Sequence, residues 1–108
     1  MDHIQIHEIY KYAAEAALEK STNQMIIGKS NLSQKEIDHI LDIAASVMKT
    51  RDKIQSGGSF VHSIVDNKLN ETYERADETC AKAIGFFIYC NKWIQPILES
   101  ALEEYLNS

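Results

Sequence analysis

Few side chains in this 108-residue chain could do covalent or metal chemistry. It has four histidines and two cysteines. His3 and His7 stand four residues apart, so on a helix two imidazoles could share a metal ion, but two ligands do not complete a site that normally takes three or four. Gly28-Lys29-Ser30 has the ending of a phosphate-binding loop, yet Asn23 stands where the first glycine of that pattern belongs. No Ser or Cys nucleophile lies beside a His in a known pattern, and no carboxylate pair is spaced for acid and base roles. His62 would need a cleft, a partner and a substrate to act as a base. These residues predict no enzyme, no metal and no cofactor.

Binding residues are easier to nominate. Gly57-Gly58 leads into Ser59 and an apolar segment, an arrangement in which free backbone N–H groups at a helix start attract anions. Gly58 and Ser59 would offer N–H groups to a nucleotide-like ligand, Arg75 or Lys68 the positive charge, and Phe60 or Tyr73 a stacking face. Asn67 and Asp77 fall at neighbouring helix ends. The alternative reading is structural, with the glycine pair as a helix stop and the polar residues as caps. Arg51 interrupts an apolar helical stripe. It either snorkels its charge into water or reaches a bound anion or a carboxylate, with Asp77 or Glu74 as candidate partners. His39 and Asp42 read as a solvated pair.

The elements that must position these groups are helical. Asp2 with Gln5 forms a capping box for a first helix over about residues 3–20, with Ile6, Ile9, Tyr10, Ala13, Ala14, Ala17 and Leu18 on one face. Residues 21–32 break the periodicity and predict a loop. Ser33 with Glu36 forms a second box, opening a helix whose stripe runs from Ile37 to Ile54 and which Gly57-Gly58 would end. Ser59 would cap a short third helix, and Asp66-Asn67 would stop it or cap a segment in which Leu69, Tyr73 and Ala76 face inward. Asp77 reads as the cap of a long central helix starting near Glu78. Its wide apolar stripe predicts packing on more than one side, with Gly85 allowing a close helix crossing or room for Phe86 or Phe60. Pro96 starts a terminal amphipathic helix, with Glu99, Glu103 and Glu104 facing water. No stretch alternates with period two. The predicted class is all-α, one domain, a bundle of about five helices with a long central helix in the second half.

Composition sets the remaining bounds. The net charge is −5, with eight acids against four bases over residues 59–108, so bulk nucleic-acid binding is not expected. The longest apolar run, residues 83–90, is far short of a membrane span of roughly 20 residues. The N-terminus shows no signal-peptide pattern, so cytoplasmic residence is expected, with Cys80 and Cys90 as reduced core residues. A chain this short covers its apolar surface with little margin, which predicts a homo-oligomer built through the terminal helix or the Trp93 face.

Gly58-Ser59-Phe60-Val61, Asn67-x-Leu69, Arg75-Ala76-Asp77 and the finish with Tyr89, Asn91 and Pro96 resemble a group of small bacteriophage and prophage proteins. The likeness covers about 40 residues. It departs from the group's pattern at Lys68, where the group has Asp, and at Cys80, where Asn is expected, which weakens transfer of polar function to those two positions. The resemblance implies a small helical intracellular accessory protein, nothing catalytic. Two modes of action follow as expectations: counter-defence by sequestering a nucleotide-like signal, or an acidic protein-protein interaction module that binds and regulates a host protein.

Overall fold

The computed structural model describes residues 1–22 and 24–107; Asn23, the position that breaks the phosphate-loop pattern, lies outside the described residues. Seven α-helices and no strand are found among them: α1 (His3–Glu19), α2 (Gln34–Arg51), α3 (Ser59–Val65), α4 (Leu69–Arg75), α5 (Glu78–Ala81), α6 (Ile84–Lys92) and α7 (Gln95–Asn107). The all-α class therefore holds, with more and shorter helices than the sequence predicts.

Helix starts follow local chemistry. Asp2 and Ser33 each accept the N3 backbone N–H while Gln5 and Glu36 reach back to the cap, completing both boxes. Asp77 caps α5 by accepting the Cys80 N–H at 2.7 Å. Pro96 sits in the first turn of α7, where its missing N–H costs nothing. Ser59 is a correction: Gly58 holds the cap position, no side chain caps α3, and Ser59 is its first helical residue.

Of the helix stops, that of α3 falls at Asp66-Asn67 as expected and that of α2 does not. α2 ends at Arg51, six residues before the glycine pair, because Lys53 turns left-handed at φ 61°. Its N–H donates to the Thr50 carbonyl and that of Ile54 to the Lys49 carbonyl, the paired closure of a Schellman motif. α3 ends in the same way, with Asn67 at φ 60° and the N–H groups of Asn67 and Lys68 donating to Ile64 and Ser63. Gly57 is needed for a different reason, since a Cβ there would lie 2.8 Å from Val61 Cγ1.

The expected long central helix is broken at residues 82–83. The Lys82 carbonyl accepts the Ile27 N–H at 2.8 Å, and the Phe86 N–H donates to the Met25 carbonyl at 3.1 Å. Residues 24–27 thus insert their backbone at the α5–α6 junction and bury Ile26 completely. Gly85 makes room for this loop, neither for a helix crossing nor for an aromatic ring; a Cβ there would stand 3.1 Å from Gln24 O, Met25 Cα and Met25 O.

α6 is central as expected, with Phe86, Phe87 and Cys90 fully buried. They join Ile26, Ile40, Val47, Met48 and Ile94 in the main core between α1, α2, α3 and α6. A smaller cluster of Ile9, Ala13, Leu98 and Ala101 holds α7 on α1. No helix among the described residues is long and apolar enough to cross a membrane.

Candidate functional site

The nominated residues fall in four places. Ser59 and Arg75 come together: α3 and α4 pack as a hairpin, tied by a 2.9 Å hydrogen bond between the buried Ser63 and Thr72 hydroxyls. At its open end Arg75 Nη1 donates to the Ser59 carbonyl at 3.3 Å and pairs with Glu71 at 3.4 Å. Gly58 is exposed beside them. Phe60 turns inward, edge-on to Phe87 with ring centroids 5.8 Å apart, whereas Tyr73 is 60% exposed. Asn67 and Lys68 lie at the other end of α3, some 10 Å away at the rise of a helix, where Asn67 Oδ1 meets Lys92.

Asp77 belongs to a third place. Its Oδ1 takes the Cys80 N–H, while Oδ2 lies 3.0 Å from His39 Nε2. Cys80 Sγ is 3.5 Å from the same nitrogen. The hydrogen bond from the Cys80 backbone and, against it, partial burial act on Asp77; with His39 added, its carboxyl is held below the usual range. Burial, reinforced by Asp77, pushes the Cys80 thiol up to about 12.

Arg51 is the fourth place, and neither of its expected partners is there. Its guanidinium grips Asp52 with two bonds of 2.8 and 3.0 Å. It also donates to the carbonyls of Cys90 and Asn91 and to Gln95 Oε1. A cation thus closes the C-terminal end of α6, where free carbonyls gather partial negative charge.

His39 and Asp42 do not pair with each other. Asp42 accepts from His7 Nε2 and Lys11, each at 3.0 Å, and the buried Lys49 ammonium donates to His7 Nδ1 at 2.7 Å. His7 is therefore fixed with its proton on Nε2, and burial holds the Lys49 ammonium below its ordinary range. His62 Nε2 meets the Ser56 hydroxyl at 2.8 Å. The His7, Lys11, Asp42 and Lys49 contacts join α1 to α2, so sequence spacing carried no signal for them, whereas His62 meets a residue of the connection just before its own helix.

The feature that sequence reading missed is an apolar groove of about 300 Å³ between α1 and α7. Ile9 and Leu98 form its floor; Met1, Ile6, Ile54 and Leu102 line it, and Asp52 and Glu99 carry charge at its edge. Met1, Ile54 and Leu102 are 64%, 42% and 39% exposed. Ile6, placed on the single inner face of α1 by its spacing, is only half-buried, and spacing alone does not show which part of an apolar face stays uncovered. No family model, curated protein or solved structure matches this chain.

Proposed function

We propose that this protein acts by binding another protein through the groove between α1 and α7, and that the partner segment is an amphipathic helix carrying basic residues. The observation that supports this reading is the groove itself: an open apolar trough edged by Asp52 and Glu99, beside a helix, α7, that carries Glu103 one turn beyond Glu99 and no Lys or Arg. Large apolar side chains anchor a helix in such a trough, and flanking carboxylates select Lys and Arg around the anchors. This is the acidic interaction module of the two expected modes, and a host protein is the natural partner for a phage-type accessory protein. A nucleotide-like ligand at the α3 corner has less to hold it, because Arg75 is engaged by Ser59 and Glu71 and Phe60 is turned onto Phe87.

Fluorescence anisotropy with a labelled Leu/Lys amphipathic peptide tests the proposal. Micromolar binding is expected, weakening as salt rises, and falling about tenfold or more in Leu102→Asp, a change at an exposed position that leaves helicity intact. Replacing Glu99 and Glu103 by Lys should abolish it. Binding that ignores both changes would count against the groove. Light scattering covers the other occupant: a dimer of the wild type that Leu102→Asp dissolves would assign the groove to a second copy and overturn the reading.

A further inference from the structure

We propose that His39, Asp77 and Cys80 form a binding site for a zinc-type divalent cation, with water completing the coordination shell. The site lies on the α2–α5 side of the molecule, separate from the α1–α7 groove, and does not rest on the docking proposal.

Local structure explains how three ligands converge. Asp77 and Cys80 are the cap and N3 residues of α5, so both side chains gather at the start of one turn. Asp77 Oδ1 is held by the Cys80 N–H, which leaves Oδ2 to face His39. His39 reaches this turn from α2, which packs against α5. One donor atom from each residue, an imidazole nitrogen, a carboxylate oxygen and a sulfur, falls within 4.8 Å of the other two.

The distances suit a small tetrahedral cation. Bond lengths of about 2.0–2.1 Å to nitrogen and oxygen and about 2.3 Å to sulfur place tetrahedral N and S ligands roughly 3.6 Å apart and N and O ligands roughly 3.4 Å apart. The observed N–S distance is 3.5 Å and the N–O distance 3.0 Å, so the His39–Asp77 contact must open by a few tenths of an ångström, while the sulfur and the carboxylate oxygen, within 4.8 Å of each other, draw in toward the roughly 3.6 Å of a shared tetrahedral ion. Such a contact between two surface side chains yields readily. The donor set, one soft sulfur, one imidazole and one carboxylate, is the set zinc accepts, whereas magnesium and calcium call for oxygen. Asp77 is exposed and His39 half-buried, which leaves the fourth position open to water.

Charge favours a cation as well. A divalent ion placed between the buried Cys80 sulfur and the Asp77 carboxylate meets two groups that can each carry a negative charge. On binding, the Cys80 thiol gives its proton to water and the sulfur becomes a thiolate ligand. His39 gives up the Nε2 proton that it donates to Asp77 in the free protein, takes a proton from water on Nδ1 in its place, and offers the Nε2 lone pair to the ion. The thiolate and the carboxylate together balance the two charges of the ion.

Cobalt(II) is the direct probe, because a thiolate ligand gives a sulfur-to-cobalt charge-transfer band in the near ultraviolet that surface histidines and carboxylates cannot give. The chelator-treated full chain, titrated with cobalt, should develop this band, saturate at one equivalent and lose the band when zinc is added. Cys80→Ser should abolish the band, while Cys90→Ser, at the other buried cysteine, should keep it. His39→Gln should weaken cobalt binding by about 10- to 100-fold or more, since even outer-shell partners of a metal cost that much. It also guards against a folding artefact at Cys80: zinc should raise the melting temperature of the wild type and not that of His39→Gln. No band in the wild type, a band surviving in Cys80→Ser, or equal zinc stabilisation of wild type and His39→Gln would each overturn the site.

Discussion

Arg51 shows what a single residue reveals in sequence and what it conceals. Its break in an apolar stripe marks it as a charge with a job, but its carboxylate partner is its own neighbour, Asp52, and its other partners are carbonyls, which sequence patterns do not display. Burial pushes the Asp52 carboxyl up, and the Arg51 fork and the Tyr10 hydroxyl at 2.7 Å outweigh it, so the carboxyl lies below its usual range. A carboxyl with a lower folded than unfolded pKa stabilises above about pH 4, and that contribution is lost as pH falls through the folded value. Arg51→Met should therefore lower stability at neutral pH by about 2–3 kcal/mol, read as a lower urea midpoint. It should also flatten the acid side of the stability curve, because Asp52 keeps only the Tyr10 hydroxyl to set against burial. Arg51→Lys keeps the charge without the fork and should recover less than half of the loss. An unchanged midpoint in Arg51→Met would mean that the guanidinium bonds are exchanged for water without cost. The same concealment applies to His39, whose partners lie 38 and 41 positions along the chain.

At the scale of elements, helix starts were legible where a side chain caps them, because such a cap is written within four residues, and not at α3, α4 or α6, which have none. Asp2, Ser33 and Asp77 all act as the sequence predicts. Stops were less evenly legible: Asp66-Asn67 ends α3 as its sequence suggests, but Lys53 adopts left-handed backbone and ends α2 where a glycine was the expected signal. The split of the central helix was not legible at all: it depends on carbonyl and N–H groups of residues 25–27, some 60 positions upstream, and backbone partners leave no mark on side-chain periodicity. Gly85 tests this account, because two effects of opposite sign meet there. Alanine gains about 1 kcal/mol of helix propensity over glycine. Its Cβ, however, would press within 3.1 Å of loop backbone that two hydrogen bonds pin in place, and overpacking of this kind costs about 1–3 kcal/mol. The clash should win, so Gly85→Ala is expected to destabilise by about 1–2 kcal/mol net in urea unfolding. A stabilised variant would show that the loop can retreat and does not define the α5–α6 break.

Over the whole molecule, the absence of period-two alternation was enough to read an all-α fold, but the pairing of helices was not, because an apolar stripe does not name the stripe it meets. The consequence is clearest at α7. It lies outside the main core and is held chiefly by α1, through Ile9, Ala13, Leu98 and Ala101, with Tyr10 and Ile97 bridging to the main core and Tyr12 donating to Glu104 at 2.6 Å. Its last turn has no basic residue to complement the helix dipole. Segments with few buried apolar contacts open at free energies below that of global unfolding, so α7 should be the weakest long helix of the fold. Hydrogen exchange is expected to show α7 amides exchanging several-fold faster than those of α2 and α6, with Leu98→Ala, a loss of about 2–4 kcal/mol at a buried site, raising exchange in α7 far more than in α6. If α7 amides are protected as strongly as those of α2, the two clusters open as one unit. The groove beside α7 would then be a rigid trough. If α7 opens first, a helix bound along it would complete a core that the chain leaves half built, and the peptide used in the anisotropy assay should slow exchange in α7 before it slows exchange anywhere else.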